Sequence, residues 1–190
     1  MLHVPSKAGS APVLDSLPPG GTVAFDLSGT VGWCYAPDWM AVPASGQWEL
    51  PHWGGKGAKG AAFLNLLEPF MDRYQPTHMV LERVLPLPAM NNWSVAYQQF
   101  GLGWMAWAEA YRASCAVTEI DALTVRSDIM GQRRFSKDTV KREVVAYCRR
   151  RGIKVTSHHA ADAVLCWLWH RARLQGEAPV AGPLFREVAA

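Results

Sequence analysis

The 190-residue sequence predicts an α/β domain with a mixed five-stranded sheet, an antiparallel hairpin plus parallel strands, flanked by helices. Three observations predict it. Short apolar runs bounded by Gly and Pro alternate with longer segments of helical periodicity. The first two runs are separated only by Gly29-Thr30, which makes a hairpin, whereas the later runs are separated by helices, which makes parallel pairs. Finally, three apolar segments each contain one carboxylate, Asp26, Glu82 and Asp162.

The elements follow in order. Thr22–Ser28 reads as a strand, Gly29-Thr30 as a tight turn, Val31–Ala36 as the second strand and Gln47–Leu50 as a third. The glycines of 54–60 predict a flexible loop. A helix is expected over Ala61–Tyr74, where Phe63, Leu64, Leu67, Phe70, Met71 and Tyr74 form one stripe ended by Pro76. His78–Val84 is a buried strand closed by Pro86 and Pro88. Asn92 caps a helix to Arg112, in which Trp93, Tyr97, Phe100, Trp104, Trp107 and Tyr111 recur at helical spacing. Trp93 is read there as a core residue, with base stacking as its alternative. Gly101 and Gly103 point to close approach by another element, such as a partner subunit. Ala116–Ile120 is a strand, Ser136 caps a basic helix over Lys137–Arg151 stopped by Gly152, and Ser157 caps a last helix from His158 to Leu174. Residues 1–20, with four prolines and no periodicity, and residues 176–190 read as tails around one domain at 21–175.

Composition bounds the function. Net charge is +3, unevenly placed: residues 1–120 hold six Lys/Arg against nine Asp/Glu, and residues 121–190 hold thirteen against seven. Ten bases against three acids lie between Arg126 and Lys154. Taken alone, such a run is most simply a solvated helix face. Cys34, Cys115, Cys148 and Cys166 lack metal-ligand spacing, so a reduced, cytoplasmic protein without structural zinc is expected. No apolar stretch reaches spanning length, and no membrane role is expected.

A carboxylate inside an apolar strand costs several kcal/mol unless it finds a partner. Each acid has a simple explanation: turn chemistry for Asp26, an edge pair with Arg83 for Glu82, a helix-dipole contact for Asp162. Together they point to one shared cation. If the strands of Asp26 and Glu82 pair, and the last helix packs on the same edge, three carboxylates converge. His159, three residues before Asp162, lies on the same helix face. Two Mg²⁺ or Mn²⁺ ions roughly 4 Å apart would discharge such a cluster and serve phosphodiester hydrolysis. The bases nearby would then hold phosphates.

Ala24-Phe-Asp-Leu-Ser-Gly-Thr-Val-Gly-Trp33, Leu81-Glu-Arg-Val84, Tyr97–Gly103, Val125-Arg-Ser-Asp-Ile-Met-Gly131 with Ser136–Lys141, and His159-Ala-Ala-Asp-Ala163 occur in an order that resembles the RuvC family of Holliday-junction resolvases, within the RNase H-like superfamily. The resemblance spans residues 22–174. It implies an RNase H-like fold and a homodimer that nicks opposed strands of a four-way DNA junction. Asp26, Glu82, His159 and Asp162 would be its catalytic and metal-binding residues, and Arg126 and Lys137 would lie near the scissile phosphate. Arg133, Arg134, Lys141 and Arg142 would contact the DNA backbone. One departure is Leu85-Pro-Leu-Pro88, where that family often carries an aromatic wedge.

Phe25-Asp-Leu-Ser-Gly-Thr30 also resembles the first phosphate loop of sugar kinases and actin-like ATPases, but those need two such domains and this chain has room for one. A nuclease acting on RNA or on another branched DNA, and a junction-binding module that never cuts, remain the alternatives.

Overall fold

A computed structural model describes residues 17–84, 93–131 and 136–176. The elements run β1 (Thr22–Asp26), β2 (Thr30–Ala36), β3 (Ala44–Glu49), α1 (Gly55–Tyr74), β4 (His78–Glu82), α2 (Trp93–Arg112), β5 (Ala116–Ile120), α3 (Ala122–Met130), α4 (Lys137–Arg150) and α5 (His158–Leu174). The sheet order is β3-β2-β1-β4-β5. Strand β1 pairs antiparallel with β2 and parallel with β4, and β4 pairs parallel with β5. The RNase H-like mixed sheet is therefore present, with the expected strand count and senses. Among the described residues, no helix is long and apolar enough to cross a membrane.

Side-chain alternation assigns the two faces of the sheet. Val23, Phe25, Met79 and Leu81 point into one core with Phe63, Leu67 and Phe70 of α1 and Leu102 and Ala106 of α2. Ala24, Cys34 and Val80 point into the other, with α3, α4 and α5. Helix α5 has both flanks buried, from Ala160 to Trp169, and lies across β1 and β2. By the same alternation Asp26 and Glu82 share the face of Ala24 and Val80, the face that α5 covers.

Several expected elements shift. The glycine-rich stretch 54–60, expected to be a flexible loop, forms the first turns of α1 instead, starting at Gly55 after Gly54 in a left-handed conformation (φ 75°). Gly60 is buried where α1 meets α2, and a Cβ there would lie 2.6 Å from Met105 Cε. Gly60 therefore sits inside a packed helix rather than in a loop. An additional helix, α3, follows β5; Asp121 caps it, its Oδ1 accepting from the Leu123 and Thr124 amides at 2.8 and 3.1 Å. Helix α2 buries its narrow stripe of Ala96, Leu102, Ala106 and Ala110. Its aromatics face outward: Trp93 is 57 % exposed, Trp104 75 % and Tyr111 87 %. The core placement expected for Trp93 is thus not found, because small side chains let α2 approach α1 closely and leave the large ones on the far side. Residues 17–20, expected within the N-terminal tail, are held against the domain: Tyr35 Oη donates to the Pro18 and Gly20 carbonyls at 2.6 and 2.7 Å. Asn92, Leu85–Pro88, Arg133, Arg134 and the tails at 1–16 and 177–190 lie outside the described residues, as does the side chain of Lys137.

The contact that seats α5 is made at Gly32. It pairs with Asp26 across the hairpin, and a Cβ added to it would lie 2.0 Å from the His159 carbonyl oxygen and 2.9 Å from the Ala160 nitrogen. Only a residue without a side chain lets the first turn of α5 rest on the strand. We expect Gly32→Ala to destabilise the fold by about 2–3 kcal/mol in urea unfolding, because backbone, not a movable side chain, occupies the space.

Candidate active site

The end of the sheet where β1 and β4 finish gathers the polar residues. Phe25 pairs with Leu81, so Asp26 and Glu82 are the next residues on adjacent parallel strands. Ser157 starts α5 at that end, its Oγ accepting from the Ala160 amide at 3.1 Å. This cap fixes the first turn, which presents His158, His159 and Asp162. Helix α3 brings Arg126 from beyond β5.

Two pairs organise the cluster. His159 Nδ1 lies 2.7 Å from Asp26 Oδ2, with Ser28 Oγ 3.3 Å from the same nitrogen. A carboxylate oxygen accepts, so Nδ1 is the donor in this pair. Arg126 Nη2 lies 3.5 Å from Asp162 Oδ1. Glu82 sits with Arg126, Asp162, Val125, Leu165 and Cys166 around one small recess. Burial first, then the charges of Asp26 and Asp162, push the Glu82 carboxyl from 4.5 up to about 8, with Arg126 opposing. Burial and Asp26 likewise raise Asp162 from 3.8 to about 6, against Arg126 and His159. The His158 imidazole is pushed down by burial and by the charges of His159 and Lys141.

Asp26, Glu82, His159 and Asp162 are therefore brought together at one sheet end, with Arg126 paired into the same cluster. Lys141 and Arg142 are exposed on α4, on the sheet face that α5 covers. Among the described residues, no three His, Cys, Asp or Glu side chains form a ready ligand set as they stand. The donor set is nonetheless chemically suited to Mg²⁺ or Mn²⁺: three carboxylates and an imidazole, with two carboxyls pushed toward the protonated form by burial first and by neighbouring carboxylates second. Gly32 and Ser28 were not singled out from sequence. A glycine inside a strand pattern was the available signal for the first.

No family model matches the chain, and no curated protein matches it. Solved structures do. Thermus thermophilus RuvC is similar with a TM-score of 0.62 at 16 % identity, over 83 % of this chain and 98 % of that one. T. thermophilus RuvC in complex with Holliday junction substrate gives 0.63 at 15 % identity over the same shares. This chain has the RuvC fold. The yeast mitochondrial Holliday junction resolvase Ydc2 is similar with a TM-score of 0.54 at 15 % identity, over 85 % of this chain and 84 % of that one.

The raised carboxyls set a pH dependence. A carboxyl whose folded pKa exceeds its unfolded value holds its proton in the folded state, so stability falls as pH rises between the two values. For Asp162 that window runs from about 4 to about 6, and for Glu82 from about 4.5 to about 8. We expect the metal-free protein to lose a few kcal/mol between pH 5 and 8, read by urea unfolding, and Glu82→Gln to flatten most of the slope. Added Mn²⁺ should restore stability more at pH 8 than at pH 5.

Proposed function

We propose that this protein is a structure-selective DNA endonuclease that resolves four-way junctions by metal-dependent, symmetric nicking of opposed strands. The convergence of Asp26, Glu82 and Asp162 beside His159 supports this reading, in a chain that shares the fold of T. thermophilus RuvC, solved in complex with Holliday junction substrate, and of the yeast mitochondrial Holliday junction resolvase Ydc2. Asp26, Glu82 and Asp162, with His159, would hold the divalent cations. When bound, such ions would activate water and neutralise charge on the scissile phosphate. The chain's own residues supply the rest. His159, oriented through Nδ1 by Asp26, offers Nε2 to accept or return a proton at the reacting oxygens. Arg126 balances Asp162 until phosphate enters and then has a second anion to pair with. Arg133, Arg134, Lys137, Lys141 and Arg142 would bind the DNA backbone. Hydrolysis would leave 5′-phosphate and 3′-hydroxyl ends, in the cytoplasm.

Symmetric nicking requires two sites. The outward face of α2 supports a homodimer: Trp104, Trp107 and Tyr111 are exposed, and a Cβ at Gly101 or Gly103 would meet nothing within 4 Å. Beside it, Arg83, Val84, Phe100, Gly103, Trp104, Trp107 and Glu119 line a cavity of about 450 Å³. An aromatic face notched by glycines suits a second copy of the helix. Trp104→Glu with Tyr111→Glu is expected to shift the protein from dimer to monomer in sedimentation, with the unfolding midpoint nearly unchanged.

The decisive assay offers four-way junction, linear duplex, flap and RNA–DNA hybrid, each with and without Mg²⁺. We expect paired nicks on the junction alone, only with the ion. Asp26→Asn should keep junction binding and lose nicking to background. Cleavage by that variant at the parental rate would refute the assignment, and preferential cutting of the hybrid would point to RNA as the substrate.

A further inference from the structure

The first turns of α1 and α2 form a cationic and aromatic patch on the opposite face of the sheet from α4. Lys56 Nζ lies 5.0 Å from the Tyr97 ring centroid, and Tyr97 lies 6.1 Å, centroid to centroid, from Trp93. Lys59 Nζ donates to Gln98 Oε1 at 2.8 Å. Gln98 Nε2 in turn lies 3.7 Å from where a Cβ on Gly29 would stand, at the tip of the hairpin that carries Asp26 and Ser28. The patch therefore adjoins the candidate active site. Residues 50–67 and 93–108 contain no Asp or Glu, so nothing within either segment neutralises the two ammonium groups. Trp93 and Tyr97 are more than half exposed.

We propose that Lys56 and Lys59 bind the phosphate backbone of the nucleic acid on the α1 side of the active site, with Tyr97 and Trp93 packing against its bases or sugars. This rests on the nuclease reading above and extends it. The basic residues of α4 lie on the other face of the sheet, so on their own they grip a strand on one side of the cleavage point. A backbone that crosses the sheet end past Asp26 and Glu82 leaves that grip and meets Lys56 and Lys59. Charge complementarity selects the occupant: unopposed lysines take phosphates, and exposed aromatic rings beside them take base faces. The cation–π contact with Tyr97 and the Gln98 bond restrict both lysines before DNA arrives, which lowers the ordering cost on binding.

The test measures junction affinity against salt, using Asp26→Asn protein so that no cutting intervenes. Each phosphate contact contributes roughly 0.7–0.9 to the slope of log affinity against log salt. We expect Lys56→Gln with Lys59→Gln to make that slope shallower by about 1.5 and to weaken binding about tenfold near 0.1 M salt. Lys56→Arg with Lys59→Arg should keep the slope. Trp93→Ala with Tyr97→Ala should weaken binding with little change in slope, since neither ring carries charge. Unfolding midpoints of all variants should match the parent. An unchanged slope and affinity in the double glutamine variant would overturn this inference while leaving the nuclease reading intact. A parent protein that fails to bind the junction at all would overturn both.

Discussion

Like charges held close in a half-buried place are the constraint around which this molecule is arranged. Asp26 and Glu82 end neighbouring parallel strands, and Asp162 descends on them from the first turns of α5. Burial alone would push such carboxyls toward neutrality, and their mutual field pushes further. The protein supplies partial relief from two sides, an imidazole on Asp26 and a guanidinium on Asp162. Neither partner reaches Glu82 with an ion pair among the described residues. A site that stays under-compensated in this way has an appetite for positive charge.

The fold creates this tension by economical means. Parallel pairing of β1 with β4 brings two carboxylates side by side without any special loop, and alternation sends both to one face. A capped helix start then meets that face at Gly32, a strand position lacking a side chain. The two helical layers differ accordingly. One carries α5, α3 and α4, with the acidic cluster and its compensating bases. The other carries α1 and α2, with an exposed aromatic surface and two lysines near the same sheet end.

Much of this was legible in the residues, for reasons that can be traced. Acids inside apolar runs betrayed Asp26, Glu82 and Asp162, because no core tolerates them without purpose. Strand senses followed from what separated each run. Where reading failed, a local rule met a tertiary one. Glycines at 54–60 look like a loop in isolation, but 55–60 open α1, and Gly60 is buried beside Met105, a neighbour forty-five positions away. The aromatics of α2 obey helical spacing, yet spacing cannot say which stripe is inside, and alanines won that place by permitting closer packing. Helix α3 is bracketed by Asp121 and Gly131, but at nine residues it is too short for its periodicity to stand out. The ion pair of Arg126 with Asp162 joins residues on separate helices, and no pattern in a single sequence encodes such a distance.

Helix α5 has one consequence for motion. Its buried residues fall on all sides, from Ala160 to Ala172, so it cannot fray or swing without exposing the core it forms with the sheet, α3 and α4. The backbone amides of its middle turns should then exchange with solvent only through near-global opening. His159 and Asp162 thus ride on a helix anchored through most of its length. Any rearrangement near the cluster is then expected in the elements around this helix, which serves as the fixed frame of reference.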